Sequence, residues 1–287
     1  MGRTSLWVLR VLWLLLPLTA GVAMGDLLDG TSTAVGLVAA IGLWGLWAVG
    51  LVAGLVPTTV ALTVLRLLAP APVVVGVVAL VDDPGPAALM AVVAGAAVAV
   101  VGFHPRVGRV FVQGSAYGDE ARFPLRPPGQ LVLGPLPVLW LALAASVAAG
   151  PLLLAARQWA VGAVVSAVAV GLLVVLPRRF HVLSRRFLVF VPAGLALHDP
   201  LVLAETAMFR WRAVRSFTRA LATTNALDLT GGSLGAAVEV TLRDPESVVR
   251  KERRPGDSTA VRTGTFLCRP TLLDGAVAEG ERRQRHG

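Results

Sequence analysis

Through the first 176 residues the hydrophobic positions carry neither a helical nor a strand-like polar stripe. Instead, six apolar runs follow one another, at residues 6–23, 34–56, 59–81, 87–103, 131–149 and 159–176. An amphipathic helix on a soluble domain would show a polar position every three or four residues. These runs do not, and each approaches the roughly 20 apolar residues needed to cross a bilayer as a helix. The pattern predicts a membrane bundle of about six transmembrane helices over residues 1–176. After residue 176 the period changes to two. Phe209, Trp211 and Ala213 alternate with Met208, Arg210 and Arg212, and Val238, Val240 and Leu242 alternate with Glu239, Thr241 and Arg243. Such alternation marks half-buried strands. Further strands are expected at 187–191, 195–198, 227–229 and 261–268, while 214–221 reads equally as helix or continued strand. Turns are signalled by Pro192-Ala193-Gly194, Asp199-Pro200 and Gly231-Gly232. The end, 271–284, reads as a helix with Thr271 and Asp274 at capping-box spacing.

Charge sharpens this division. Residues 1–102 hold three arginines and four acids, whereas 177–287 hold eighteen basic residues and eleven acids. With the N-terminus inside, the inner segments next to the runs carry ten arginines, among them Arg106, Arg109, Arg178, Arg179, Arg185 and Arg186. The outer segments carry only Arg157, together with Asp26, Asp29, Asp82 and Asp83. This asymmetry predicts a multi-pass protein of the cell (plasma) membrane with both termini cytoplasmic. The first run also fits a cleaved signal peptide, with a basic start, an apolar stretch and Gly21-Val22-Ala23 as a cleavage site. Cleavage would leave five spans in the same orientation. Small residues inside the runs (Gly50 and Gly54; Ala87, Ala91 and Gly95; Ala163, Ala167 and Gly171) would let helices approach closely. Composition alone would also place them there.

Candidate chemistry is sparse. Arg10 and Arg66 lie one to two turns inside their spans, where they either snorkel to the headgroups or jointly hold an anionic lipid phosphate. Pro70 and Pro72 would kink the third span and open such a pocket. Arg178 and Arg179 are the further candidates for lipid-headgroup contact. No carboxylate or histidine falls inside a run, which argues against proton coupling. The cytoplasmic loop 104–130 is the longest connection, with a short strand expected at 109–112. It offers Tyr117, Asp119 and Glu120 as a loop site, or it lies on the membrane face or docks on the C-terminal domain as structural glue. The acid pair lacks a partner base, metal ligand or phosphate cradle in the loop. His104, His181, His198 and His286 show no metal-ligand spacing, and the single cysteine, Cys268, excludes an intrachain disulfide. No catalytic motif is present, and no cofactor or metal is implied. The run Arg250-Lys251-Glu252-Arg253-Arg254 reads as a solvated loop or an anionic-lipid contact. Nucleic acid is not an expected partner, because no recognition motif accompanies the charge.

The opening Arg185-Arg186-Phe187-Leu188-Val189-Phe190-Val191, the hairpin through Gly194 to Leu197 and the strand Phe209-Arg210-Trp211-Arg212 resemble a bacterial pleckstrin-homology-like domain. That likeness covers 177–287 and implies six or seven antiparallel strands closed by a C-terminal helix. The whole chain resembles an uncharacterised family of actinobacterial multi-span membrane proteins, which offers no catalytic residues to carry over. The resulting expectation is a non-enzymatic scaffold or regulator. Its basic cytoplasmic domain would bind a protein partner or the inner leaflet. A transporter or lipid-handling bundle is the alternative, and an enzyme with an unfamiliar site comes third.

Overall fold

The structure, a computed structural model, describes residues 2–221, 223–252 and 256–285. The chain divides into two compact units. The first comprises 1–110 and 137–180, and the second 111–136 and 181–287. The second unit thus takes in most of the loop 104–130 as well as the C-terminal region.

The first unit is helical. Its elements are α1 (Gly2–Leu15), α2 (Ala20–Leu28), α3 (Thr33–Leu55), α4 (Thr59–Leu68), α5 (Ala71–Asp82) and α6 (Pro86–Phe103). After α7 (Pro105–Gln113) and the short α8 (Gly129–Leu133) come α9 (Pro135–Ala155) and α10 (Trp159–Ser184). Among the described residues they give six helices long and apolar enough to cross a membrane: Thr4–Leu28, Thr33–Leu55, Thr59–Asp82, Pro86–Phe103, Pro135–Ala155 and Trp159–Ser184. In the second of these, mean hydropathy is 2.1 while only 6% of the apolar window is buried. Ile41 and Leu37 stand 64% and 60% exposed. Apolar surface on that scale is not stable against water. Helix starts follow their caps, Ser32 accepting from Val35 N and Thr58 from Ala61 N. Pro17 falls in a 3-10 turn that breaks the first span, and Pro70 separates α4 from α5, the expected kink.

Close packing concentrates between α5 and α6. A Cβ on Gly76 would stand 2.5 Å from Val92 N, and one on Gly95 would stand 2.6 Å from the carbonyl carbon of Pro72. Each glycine lets the opposite backbone in, so Ala91 and Gly95 from the small-residue sets do line a helix contact. The set on the sixth span does not. Ala163, Ala167 and Gly171 are exposed, and the packed face is Gly162, Ser166 and Ala169. In a run this rich in Ala and Gly, composition disguises which face is buried. Between α1 and α3, two indoles hold each other's backbone. Trp13 Nε1 donates to Trp47 O and Trp47 Nε1 to Trp13 O, both at 2.9 Å.

Among the described residues the second unit contains two four-stranded sheets. The strands are β1 (Ala121–Pro124), β2 (Phe187–Val191), β3 (Gly194–His198), β4 (Ala207–Arg210), β5 (Val214–Arg219), β6 (Leu227–Asp228), β7 (Val238–Lys251) and β8 (Ser258–Cys268). The first sheet runs β1-β2-β3-β4, with every pairing antiparallel. The second runs β5-β7-β8-β6, with β6 parallel to β8, so the unit is mainly antiparallel. The closing helix is α11 (Leu273–Gln284). Phe123, Phe190, Phe209, Trp211, Phe217 and Phe266 form the aromatic centre of the core. Ring centroids stand 5.5 Å apart for Phe123–Phe190 and 4.9 Å for Phe209–Phe266.

Several sequence expectations need correction. Residues 109–112 lie in α7, not in a strand. Val107, Phe111 and Val112 are its buried positions, and four residues are too short a window to separate the two periods. The strand in the loop is β1 instead. The ambiguous stretch 214–221 contains β5, where a bulge between Val214 and Ser216 spaces the buried Val214 and Phe217 by three. That spacing imitates a helix. The strand at 238–242 continues to Lys251 past a register shift between Thr241 and Glu246. Arg250 and Lys251 are therefore strand residues, and Lys251 Nζ donates to Pro200 O at 2.6 Å. Arg253 and Arg254 lie outside the described residues. No capping box forms at α11. Its N-cap is Leu272, Thr271 Oγ1 is buried without a partner, and Asp274 pairs with Arg219.

Candidate functional site

Arg10 and Arg66, alike in the sequence, differ in their surroundings. Arg10 projects from α1 onto the C-terminus of α3, where the last carbonyls have no helical partner. Its Nε donates to Gly54 O at 2.9 Å and its Nη2 to Leu55 O at 3.4 Å, with the guanidinium 5.1 Å above the Trp7 ring. A cation there also suits the helix dipole. Arg66 sits in the last turn of α4, immediately before the Pro70 break. Its guanidinium lies 5.9 Å from the Phe103 ring centroid, and its buried Nε has no acceptor among the described residues. The two arginines meet different neighbours. Arg178 and Arg179 are exposed on α10, and Arg178 Nη1 donates to Val174 O at 3.1 Å. A cavity of about 280 Å³ is lined by Trp13, Met24, Trp44, Trp47, Pro72 and Val75 among others, and neither Arg10 nor Arg66 lines it. The named lining is apolar except for the indole N–H groups, and those of Trp13 and Trp47 already have acceptors.

The loop residues are held by arginines. Glu120 Oε2 accepts from Arg122 Nη2 at 2.7 Å and from Arg122 Nε at 3.0 Å. Gln113 clamps the same turn, donating to Glu120 O at 2.6 Å and accepting from Arg122 N at 2.8 Å. Asp119 accepts from Arg283 Nη2 of α11 at 2.9 Å. Arg283 also bonds Glu279 at 2.8 Å, and Arg282 completes the cluster from the solvent side. Burial alone would raise the Glu279 carboxyl, but hydrogen bonds from Arg282 and Arg283 outweigh it and hold it below its usual value. Tyr117 is 87% exposed and touches the cluster through its backbone N–H, which donates to Glu120 Oε2. The arrangement brings Asp119 and Glu120 into structural ion pairs, fixing the loop to α11 within the second unit.

One constellation escaped the sequence reading. Arg186 is fully buried and grips Asp199 through two parallel bonds, Nε to Oδ1 at 2.8 Å and Nη2 to Oδ2 at 2.7 Å. It also donates to Arg126 O at 2.7 Å and Thr230 O at 3.1 Å. One side chain thus joins the end of the loop, β2, the β3–β4 turn and the β6–β7 connection. The sequence offered Arg186 as one more juxtamembrane cation and Asp199-Pro200 as a turn. Nothing in the sequence pattern paired the two.

The histidines are scattered. His104 Nδ1 accepts from Arg106 N at 3.2 Å, and His198 Nδ1 lies 2.8 Å from Thr206 Oγ1 with its ring against Phe187. Burial lowers the His198 pKa, and Arg185 adds to the effect. His181 lies near the end of α10, and His286 lies outside the described residues. Among the described residues no three His, Cys, Asp or Glu side chains are grouped to hold a metal ion. Burial pushes the Cys268 thiol up to about 12, with Asp199 contributing, so it is inert in the folded unit.

The chain therefore joins a unit of six helices long and apolar enough to cross a membrane to a β-rich unit with a final helix. Comparison with protein-family models, with curated proteins and with solved structures finds no match.

Proposed function

We propose that the protein is a non-enzymatic, multi-pass membrane scaffold or regulator whose pleckstrin-homology-like β unit works at the cytoplasmic face. The observation that carries this reading is a ribbon of exposed arginines. Along β4, the 3-10 turn Trp211–Ala213 and β5, Phe209, Trp211, Val214 and Phe217 enter the core. Arg210, Arg212 and Arg215 stand outside. Among the described residues none of the three has a carboxylate partner. β4 and β5 are both sheet edges, and since Gln284 of α11 already donates to Val214 O and Arg215 O, it is the arginine side chains, not the β5 backbone, that face an incoming surface. Three cations fixed on such an edge suit an acidic partner protein or the anionic inner leaflet, at about 1 kcal/mol each near a charged bilayer. The chain also passes between the two units three times, at 110/111, 136/137 and 180/181, which tethers the ribbon to the membrane helices.

Crosslinking with mass spectrometry in native membranes tests the proposal. Wild type should yield one dominant protein or lipid adduct through the second unit. The triple variant Arg210→Gln, Arg212→Gln, Arg215→Gln should lose it by about a hundredfold, the equivalent of ~3 kcal/mol. Unchanged adducts in the triple variant would contradict the reading. A second reading, lipid handling by the bundle, is favoured by the apolar cavity beside the broken first and third spans.

A further inference from the structure

We infer that Arg66 is the binding site for a phosphate-ester anion, supplied by an inner-leaflet phospholipid. The inference rests on the membrane reading above but not on the arginine ribbon. Arg66 lies seven residues into the third candidate span, about 10 Å along its helix from Thr59. Charges at that depth are paired, hydrated or held by a ligand. Among the described residues no carboxylate pairs with Arg66, and its Nε is sealed without an acceptor. The Phe103 ring takes one face of the guanidinium at 5.9 Å, a partial compensation that supplies no acceptor oxygen.

Arg10 supplies the contrast, because its donors are already committed to Gly54 and Leu55 carbonyls. With no N–H of its own, Pro70 ends α4 one turn after the arginine and leaves the Arg66 carbonyl without its helical donor. A planar guanidinium with unused donors at headgroup-reachable depth fits the two free oxygens of a phosphodiester.

The test compares the melting of full-length protein with phosphatidylglycerol and with phosphatidylcholine. Wild type should gain about 2–4 °C from the anionic lipid at a few-fold excess over its dissociation constant. Arg66→Met should lose that increment, and Arg66→Lys should keep part of it. Arg10→Met should melt lower without lipid yet retain the increment. The triple arginine-ribbon variant should retain it too. Inorganic phosphate producing the whole increment would uphold the site and name a soluble anion as its source. An increment that persists in Arg66→Met, or is absent from wild type, would overturn the site. Loss in the ribbon variant alone would overturn it while leaving the ribbon reading standing.

Discussion

Replacing Asp199 with alanine should destabilise the β unit by about 3–5 kcal/mol, because it strands the fully buried Arg186 guanidinium without its carboxylate. The two parallel bonds vanish, as does the bond from Leu201 N to Oδ1. The carbonyls of Arg126 and Thr230 cannot neutralise a cation that water no longer reaches. Cys268 provides the readout. It is the single cysteine, lies in the same core and reacts only when that core opens. At one decade per 1.4 kcal/mol, maleimide labelling normalised to the unfolded chain should rise by about two to three and a half orders of magnitude. The double variant Arg186→Met, Asp199→Leu should recover part of the loss, since an apolar pair leaves no stranded charge. A rise below tenfold in Asp199→Ala would show that the ion pair does not organise the unit.

The second large effect lies in the helical unit. Gly76→Ala places a Cβ 2.5 Å from Val92 N, where the obstruction is backbone and cannot rotate away. The α5–α6 contact must open, at a cost of about 1–3 kcal/mol, and Gly95→Ala should match it from the other side. Thermal loss of the monodisperse peak in detergent measures this directly. Gly171→Ala is the control. No atom stands within 4 Å of its Cβ position, so its effect should stay within about 0.5 kcal/mol. Equal melting of Gly76→Ala and Gly171→Ala would mean that the close approach contributes nothing.

These two regions show how unevenly the fold could be read in advance. The six long helices were legible because length and the absence of charge survive any error in period. Their ends were less so, since α10 continues through Pro177 to Ser184. The strand β1 was invisible for a physical reason. It has four residues, ends in Pro124 and gains meaning only from β2, where Phe123 faces Leu188. Proline suits it because β1 is an edge strand. The arginines make the same point about sites. Depth in a span equates Arg10 with Arg66, and only the carbonyls beside one and the missing acceptor beside the other separate them. Asp119 and Glu120 looked like a pair, yet each answers to a different arginine, one of them 164 residues away.

Everything proposed for the ribbon and for Arg66 requires the helices to cross the bilayer with the β unit inside. Cysteines added one at a time at Asp29 and at Tyr117, both exposed, should report on opposite sides. A membrane-impermeant maleimide applied to intact cells should label Asp29→Cys at once. Tyr117→Cys should react only after permeabilisation, while wild-type Cys268 stays unlabelled in both. Labelling of Tyr117→Cys from outside, or of neither position without permeabilisation, would contradict the arrangement.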